Sequence, residues 1–196
     1  MMSTLVGWLL ITVSLGCDFH AMKTKLFFRV DASPQIGAGH LKRCAVLAKA
    51  CLDLDGECYF LLRSQDFDWQ LCGLAEEIKV IQVPWELEPE EDARWLVECC
   101  RNLGLQAGVL DHYRVTTGYQ QCLRDAGLKW LLFGNPSHTH DILADLLHDA
   151  APGAAREVYE ARLKKNNPQF LLGPEFALVD SEFRRVRSLL PEVSSL

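Results

Sequence analysis

The sequence lacks the excess of positive charge that proteins use to bind nucleic acids. Its 20 lysines and arginines are outnumbered by 26 aspartates and glutamates, which gives a formal net charge of -6. A chain with a negative overall field has no general electrostatic attraction for a phosphate backbone. Hydrophobic residues make up 49% of the chain, which is enough to bury a core of ordinary size. We therefore expect a globular protein without a nucleic-acid partner.

Cysteine pairs at metal-ligand spacing are also missing. None of the eight cysteines forms a C-x-x-C pair, Cys99 and Cys100 are adjacent, and Cys44, Cys51 and Cys58 lie among aliphatic residues. Zinc sites and redox motifs ordinarily use closely spaced pairs, so the pattern predicts buried free thiols in a reducing compartment. We expect cytoplasmic localisation, with neither a zinc site nor a disulfide framework.

No apolar run is long enough to cross a bilayer, which requires about 20 residues. The apolar stretch Leu5–Leu15 is shorter, has no lysine or arginine before it, and leads into a poor lipoprotein cleavage pattern at Cys17. Met22 is followed by Lys-Thr-Lys and then by LFFRV, which is typical of the beginning of an α/β protein. We therefore predict that residues 1–21 are an apolar extension outside the native fold. Residues 22–196 are the predicted domain, and we do not expect this domain to bind a membrane.

From Lys25 onward, short β-rich runs alternate with helical stretches. The predicted strands are 26–30, 57–64, 78–83, 106–111 and 128–133. The predicted helices are 40–54, 93–104 and 115–127, with a short helix over 67–75. Such alternation is typical of βαβ units, whose right-handed crossovers build a parallel sheet. The sequence thus predicts the α/β class, with a Rossmann-like doubly wound parallel sheet.

The last third of the chain has a less regular pattern. The predicted elements are a loop over 134–140, a strand or a helix over 141–150, a helix over 155–167, a short strand within 169–179 and a final helix over 182–190. Gly173 and Pro174 are expected to break the strand in the fourth of these segments.

Two polar segments follow strands that lie next to each other in a sheet of this kind. With the usual strand order, the order reverses between the first and fourth strands, and ligands bind beyond the carboxyl ends of the strands at that point. The loop after the first strand carries Asp31, Gln35, Gly37, Gly39 and His40, and the segment after the fourth carries Asp111, His112 and Tyr113. We predict that these residues, although distant in sequence, meet at one crevice.

His40 directly follows Gly37-Ala38-Gly39 at the predicted start of a helix. Glycines allow a tight turn and a close approach of the backbone to a ligand, and the N–H groups of a helix start attract an anion. The positive helix end favours the uncharged form of His40, which can then act as a general base toward water. A capping or surface role is the alternative. The dinucleotide-binding fingerprint is absent, because Lys42 stands where its third glycine belongs.

The other candidate residues also fit purely structural roles. His112 and Tyr113 fit either a substrate site or the packed end of a strand. The alternative role for Asp111 is to accept hydrogen bonds from N–H groups of the loop. The run from His138 to Asp141 contains metal-ligand residue types, but it is more typical of a solvated loop. We therefore predict neither a metal ion nor another cofactor.

Three segments resemble the UDP-sugar hydrolases of pseudaminic acid biosynthesis. FRVDASPQIGAGHLKR resembles the family pattern R-x-D-x-S-x-x-I-G-x-G-H-x-x-R, and VLDHYRV resembles its D-H-Y segment. FLLGPEFALVDSEF resembles its L-x-G-x-x-Y-A-L-x-x-x-E-F segment. The three motifs occur in the order that the family has.

The resemblance implies the N-terminal lobe of a two-lobed fold like that of the GT-B glycosyltransferases, with the active site between the lobes. It implies a metal-independent reaction in which water attacks the anomeric carbon of a UDP-linked diacetamido-trideoxy sugar, UDP leaves and the configuration inverts. His40 would be the base, and Lys42 or Arg43 would favour the diphosphate. The predicted substrate-binding residues are Asp31, Gln35, Ile36, Gly37, Gly39, Arg43, Asp111, His112 and Tyr113.

The chain departs from this family in two respects. The family usually has F-D-D after the fifth strand, where this chain has Phe133-Gly134-Asn135. The family's C-terminal lobe, which holds most of the uridine diphosphate, has no counterpart here, so a separate nucleotide-binding lobe is an expected partner alongside the UDP-sugar substrate. Without that lobe the chain would lose most of the energy of substrate binding, so we expect it to be only weakly active when it is alone. The alternatives are a lobe of a GT-B glycosyltransferase with a sugar or lipid acceptor, and a non-catalytic orphan sugar-binding domain.

Overall fold

The computed structural model describes residues 23–137, 139–164 and 167–179. Within these ranges the strands are β1 (Lys25–Ala32), β2 (Glu57–Ser64), β3 (Lys79–Gln82), β4 (Ala107–Asp111), β5 (Lys129–Phe133), β6 (Leu146–Asp149) and β7 (Gln169–Leu172). The α-helices are α1 (Gly39–Leu52), α2 (Pro89–Leu103), α3 (Thr117–Asp125) and α4 (Glu157–Glu160). Short 3-10 helices cover Trp69–Cys72 and Pro174–Phe176.

The strands form one parallel sheet with the order β3-β2-β1-β4-β5-β6-β7. β1 pairs with β2 on one side and with β4 on the other, so the strand order reverses between β1 and β4. The carboxyl ends of parallel strands lie at the same edge, and the loops that follow β1 and β4 therefore leave the sheet side by side. The predicted α/β class and Rossmann-like parallel sheet are confirmed.

Helices cover both faces of the sheet, as a parallel sheet built from apolar strands requires. α1 packs Leu41, Cys44 and Leu47 against the face that carries Phe28 and Val30. The opposite face packs against α2 and α3, and its buried cluster includes Phe27, Leu61, Ala93, Leu96, Leu110, Tyr119 and Leu123. β1 sends alternate side chains into both layers, which is why every residue of this strand after Lys25 is buried.

The helices begin in different ways, and the difference concerns the site. At the start of α2, the backbone N–H of Glu88 donates to the side chain of Glu91 at 3.0 Å. At the start of α3, the hydroxyl of Thr116 accepts the N–H of Tyr119 at 3.0 Å. α1 instead follows Ala38, which offers no side-chain cap. Its first turn therefore leaves backbone donors at the carboxyl edge of the sheet.

The predictions for the first two thirds of the chain are confirmed in element type, with ends shifted by a few residues. The short helix expected over 67–75 is a 3-10 turn at Trp69–Cys72. The ambiguous segment 141–150 contains strand β6. β7 ends where expected, because Gly173 has a φ of +104° and Pro174 begins a 3-10 turn.

Of the described residues in the helix predicted over 155–167, only Glu157–Glu160 is helical, so this prediction is wrong for most of its length. Ile142 explains the difference. Its N–H donates to the carbonyl oxygen of Arg162 at 2.8 Å, and it forms a parallel bridge with Leu163. Pairing with the segment before β6 thus takes the backbone groups that a longer helix would need.

Three predictions concern chain segments at or beyond the limits of the described residues. The extension over 1–21 and the final helix over 182–190 lie outside them, and the domain boundary at Met22 stays a prediction. Within the described ranges, no helix is both long enough and apolar enough to span a membrane.

Candidate active site

The start of α1 and the segment that follows β4 meet at the reversal of strand order, beside an open cleft of about 200 Å³. Its walls come from the first turn of α1, the end of β4 and the segment after β5. Five of the predicted site residues contribute to them: His40, Arg43, Asp111, His112 and Tyr113. The sheet topology therefore brings His40 of the first polar segment together with Asp111, His112 and Tyr113 of the second.

A tight loop carries the chain from β1 to α1. The Gly37 N–H donates to the carbonyl oxygen of Ser33 at 2.7 Å, and the Ile36 N–H donates to the Ser33 hydroxyl at 3.1 Å. Gly37 has a φ of +78°, which glycine adopts without steric cost. A Cβ on Gly39 would meet no atom within 4 Å, so the start of α1 opens onto free space.

His40 lies in the first turn of α1 and is only 8% exposed. Its Nδ1 lies 2.9 Å from the backbone carbonyl oxygen of Asp111 and 3.2 Å from Oδ1 of the same residue. A backbone carbonyl oxygen can only accept a hydrogen bond, and so can an ionised carboxylate. Nδ1 therefore carries the ring hydrogen and donates it. Nε2 is then the basic nitrogen of the neutral ring. A histidine held in this way can take a proton from water in the cleft.

Asp111 is buried and is held by side chains from α1. Nε of Arg43 donates to Oδ2 at 2.5 Å, and Nη2 of Arg43 donates to Oδ1. Burial opposes the charge on Arg43, but the hydrogen bonds and charge of Asp111 outweigh it and raise the pKa of Arg43 above its ordinary value. Cys44 Sγ lies 3.4 Å from Oδ2. Burial, with the charge of Asp111, raises the pKa of the Cys44 thiol well above its ordinary value, so Cys44 is a neutral donor.

Tyr113 and His112 are adjacent in sequence but differ in environment. The Tyr113 ring meets His40 edge-on, with centroids 4.7 Å apart, and 58% of the residue is exposed. His112 is buried and packs edge-on against Tyr119, with centroids 5.1 Å apart. Burial, followed by the charges of Arg29 and Arg114, holds the pKa of His112 well below its ordinary value. Tyr113 thus presents an aromatic surface to the cleft, whereas His112 is a neutral, packed residue beneath it.

The other predicted residues lie outside the walls of this cleft. Asp31 is buried, and its Oδ1 accepts Nη1 of Arg29 at 2.6 Å. Gln35 is exposed on the loop after β1, and Ile36 is half-buried there. Gly39 borders a separate groove on the outer side of α1. The substrate-binding roles of these residues and of Gly37 stay predictions.

The far wall of the cleft is the segment 133–136, which the sequence pattern did not single out as a wall. Cζ of Arg43 lies 4.3 Å from the ring centroid of Phe133, and Asn135 adds an amide to the lining. The segment follows β5, which pairs with β4. The rule that ligands bind beyond the carboxyl ends of neighbouring strands would have indicated it.

The packing around Gly134 explains one departure from the family that this chain resembles. That family usually has an aspartate at this position, after the phenylalanine that corresponds to Phe133. A Cβ at this position would lie 2.7 Å from Oη of Tyr159. That hydroxyl donates to Oδ2 of Asp149 at 2.5 Å and is fixed by it. Packing against Tyr159 therefore excludes a side chain from position 134.

Among the residues that the structure describes, no three His, Cys, Asp or Glu side chains lie close enough together to hold a metal ion. His138 is outside that set. His140 is exposed, and Asp141 pairs with Lys164 at 3.3 Å. The described cysteines are free thiols, and those predicted to be core residues are buried: Cys44, Cys51 and Cys58.

No protein-family model matches the chain. A curated relative, the UDP-2,4-diacetamido-2,4,6-trideoxy-beta-L-altropyranose hydrolase of Campylobacter jejuni, is 29% identical over 160 residues. The alignment covers 81% of this chain and 53% of the relative, so the chain spans about half the length of that protein. The similarity supports a distant relationship between this chain and a UDP-sugar hydrolase.

Proposed function

We propose that this chain is the base-bearing lobe of an enzyme that hydrolyses a UDP-linked diacetamido-trideoxy sugar in pseudaminic acid biosynthesis. The main support for the proposal is the position of His40, whose Nδ1 is held by Asp111 beside an open cleft. This arrangement makes Nε2 the nitrogen that accepts a proton. The name of the Campylobacter jejuni relative supports the substrate class.

In the proposed reaction, a water oxygen forms a bond to the anomeric carbon while the bond from that carbon to the UDP oxygen breaks. The electron pair of the broken bond leaves with UDP, and a proton of the water passes to Nε2 of His40. Attack on the side opposite UDP inverts the configuration. A general base in this position contributes about 10²–10⁴-fold to the rate.

The surroundings of His40 suit the two ends of such a substrate. The exposed ring of Tyr113 offers an apolar face to a sugar with few hydroxyl groups. The uncapped first turn of α1 presents N–H groups that favour the charge developing on the departing diphosphate. Because the chain matches 53% of its relative, we further propose that a second, nucleotide-binding lobe holds most of the UDP in a GT-B-like arrangement.

Release of UDP from the diacetamido-trideoxy sugar nucleotide tests the proposal. The chain is assayed alone and mixed with the C-terminal half of the Campylobacter jejuni hydrolase. We expect weak release alone and faster release in the mixture, with a loss of at least about 100-fold in His40→Ala, the lower end of the range for a general base. His140→Ala is the matched control, because His140 is an exposed histidine at a distance in sequence from the motif. Unchanged turnover in His40→Ala would remove His40 from the reaction.

The acceptor distinguishes a hydrolase from a glycosyltransferase. If water is the acceptor, reaction in ¹⁸O-enriched water places the label on the anomeric oxygen of the free sugar. Release of UDP that needs an added sugar or lipid, with transfer to that molecule, would contradict hydrolysis and favour the transferase. Binding of the sugar without any release of UDP would favour an orphan sugar-binding domain.

A further inference from the structure

Arg43 is held on two sides in a way that limits what it can bind. Its Nε and Nη2 both donate to the carboxylate of Asp111, and its guanidinium lies over the ring of Phe133. A bidentate pair with a buried carboxylate is among the stronger side-chain contacts in proteins. Turning this fork toward a diphosphate would break both hydrogen bonds and leave Asp111 buried at 2% exposure without its counter-ion.

The same contacts link Arg43 to His40. Oδ1 of Asp111 accepts from Nη2 of Arg43 and lies 3.2 Å from Nδ1 of His40. A carboxylate with no other counter-ion at this distance would favour the charged imidazolium, which is no longer a base. The charge of Arg43 balances that carboxylate, so Asp111 can fix the ring of His40 without drawing a proton onto it.

The other titratable groups around His40 do not replace Arg43. On α1, Cys44 is a neutral thiol. After β4, His112 is neutral, and Tyr113 contributes a phenol that meets His40 edge-on. The segment 133–136 contains no titratable side chain. Arg43 is therefore the cation among the cleft-lining residues that faces the Asp111 carboxylate.

We propose that Arg43 is a positioning residue, which balances the charge of Asp111 so that this carboxylate can hold the His40 ring in place as a base. The inference rests on the proposed function for its role in turnover, but the coupling of Arg43 to His40 is a property of the chain itself. It is the alternative to the expectation, drawn from the family resemblance, that Arg43 favours the diphosphate.

The test uses Arg43→Gln, Arg43→Lys and Asp111→Asn. Lys49→Gln is the control, because it removes a positive charge from the exposed side of α1, away from the cleft walls. NMR follows the pH at which the His40 ring resonances move in the chain alone. UDP release by the two-lobe mixture is measured over the same pH range, with KM and kcat separated at each pH.

In Arg43→Gln, we expect the His40 transition to move up by about one pH unit, the lower end of the effect of one nearby charge. The acidic limb of the UDP-release profile moves with it. Arg43→Lys recovers part of the change, Asp111→Asn moves the transition down, and Lys49→Gln leaves it in place. Because two variants move it in opposite directions, misfolding of one leaves the other decisive.

A different result overturns the inference. If Arg43 binds the diphosphate, Arg43→Gln raises KM and leaves both pH dependences unchanged. If the wild-type mixture does not release UDP, the proposed function fails, while the NMR transitions still decide whether Arg43 controls His40. Identical transitions in wild type, Arg43→Gln and Asp111→Asn would show that it does not.

Discussion

Gly108 lies in β4 at a point where the neighbouring strand leaves no space for a side chain. A Cβ there would lie 2.2 Å from the carbonyl oxygen of Phe27 and 2.4 Å from its ring. Phe27 and Gly108 are direct partners in the pairing of β1 with β4, so the clash falls on the two strands that carry the candidate site. Glycine is required here by packing, whereas Gly39 borders open space and has no steric requirement.

Gly108→Ala is therefore expected to lower the free energy of unfolding by about 3 kcal/mol, the upper end of the usual cost of overpacking. Gly39→Ala makes the same chemical change and is expected to alter stability by less than about 1 kcal/mol. Urea denaturation followed by circular dichroism measures both. A Gly108→Ala protein as stable as Gly39→Ala would show that β1 and β4 can separate without loss.

At the scale of single residues, the sequence predicts which side chains lie at the site but not all of the contacts between them. His40 and Asp111 could be placed at the same edge, because each follows a strand and the strand order of this fold class is regular. The hydrogen bonds from Arg43 and Cys44 to Asp111 could not be predicted, since they depend on how α1 is rotated against β4. Only the packed structure fixes that rotation.

Among the secondary-structure elements, β1 is joined to α2 and α3 by a buried ionic network. Nε of Arg29 donates to Oδ1 of Asp92 at 2.9 Å, and the Tyr119 hydroxyl donates to the same oxygen at 3.1 Å. The side chains of Arg29 and Asp92 are both fully buried. Burial opposes the charge on Arg29, but its hydrogen bonds with Asp92 and the charge of Asp31 raise its pKa above the ordinary value. The network fixes the helices on the face opposite α1.

Asp92→Ala is expected to lower the free energy of unfolding by about 3–5 kcal/mol, because it leaves a buried guanidinium without one of its two carboxylates. Glu98→Ala on the same helix is the control. Glu98 pairs with Arg101 at 2.9 Å on the surface, where such pairs contribute about 0–1 kcal/mol. Chemical denaturation separates the two cases, and equal losses would mean that Arg29 finds another partner or water.

The elements differ in how well local sequence specified them. From β1 to β5, buried apolar strands alternate with amphipathic helices, and both have a local period that sequence reveals. The segment 141–150 is ambiguous in the sequence, and the helix predicted over 155–167 is wrong for most of its described length, because the backbone partners of both segments are distant. β6 takes its place by pairing with β5 and β7, and Ile142 pairs with Leu163. Such contacts override a helical pattern, and α4 is consequently one turn long.

For the molecule as a whole, the sheet places all of the candidate chemistry at one edge. The carboxyl ends of β1, β4 and β5 supply the loops, and the helices behind them are fixed by two separate apolar layers. A rigid platform of this kind holds His40 and Asp111 in register while leaving the cleft open on its outer side. The second lobe that we propose, if it closes over that side, would exclude water that the proposed reaction does not need.

The stability of the whole molecule is expected to depend on pH through His112. Its pKa is held well below the ordinary value, mainly by burial, whereas an unfolded histidine titrates near 6.5. Below that pH the unfolded chain binds a proton that the folded chain does not, so the free energy of unfolding decreases as the pH falls. Above pH 6.5 both states are neutral at this residue, and its contribution is constant.

Between pH 7.5 and pH 5.5, this histidine is expected to remove about 1.4 kcal/mol of stability. His112→Phe cannot bind the proton but keeps an aromatic ring against Tyr119, so it should lose correspondingly less stability over the same interval. Urea denaturation of both proteins at the two pH values measures the difference, and the other titrating groups cancel in the comparison. Equal losses in the two proteins would mean that the folded state accepts the proton on His112, which requires water or a moving side chain to reach its buried ring nitrogens.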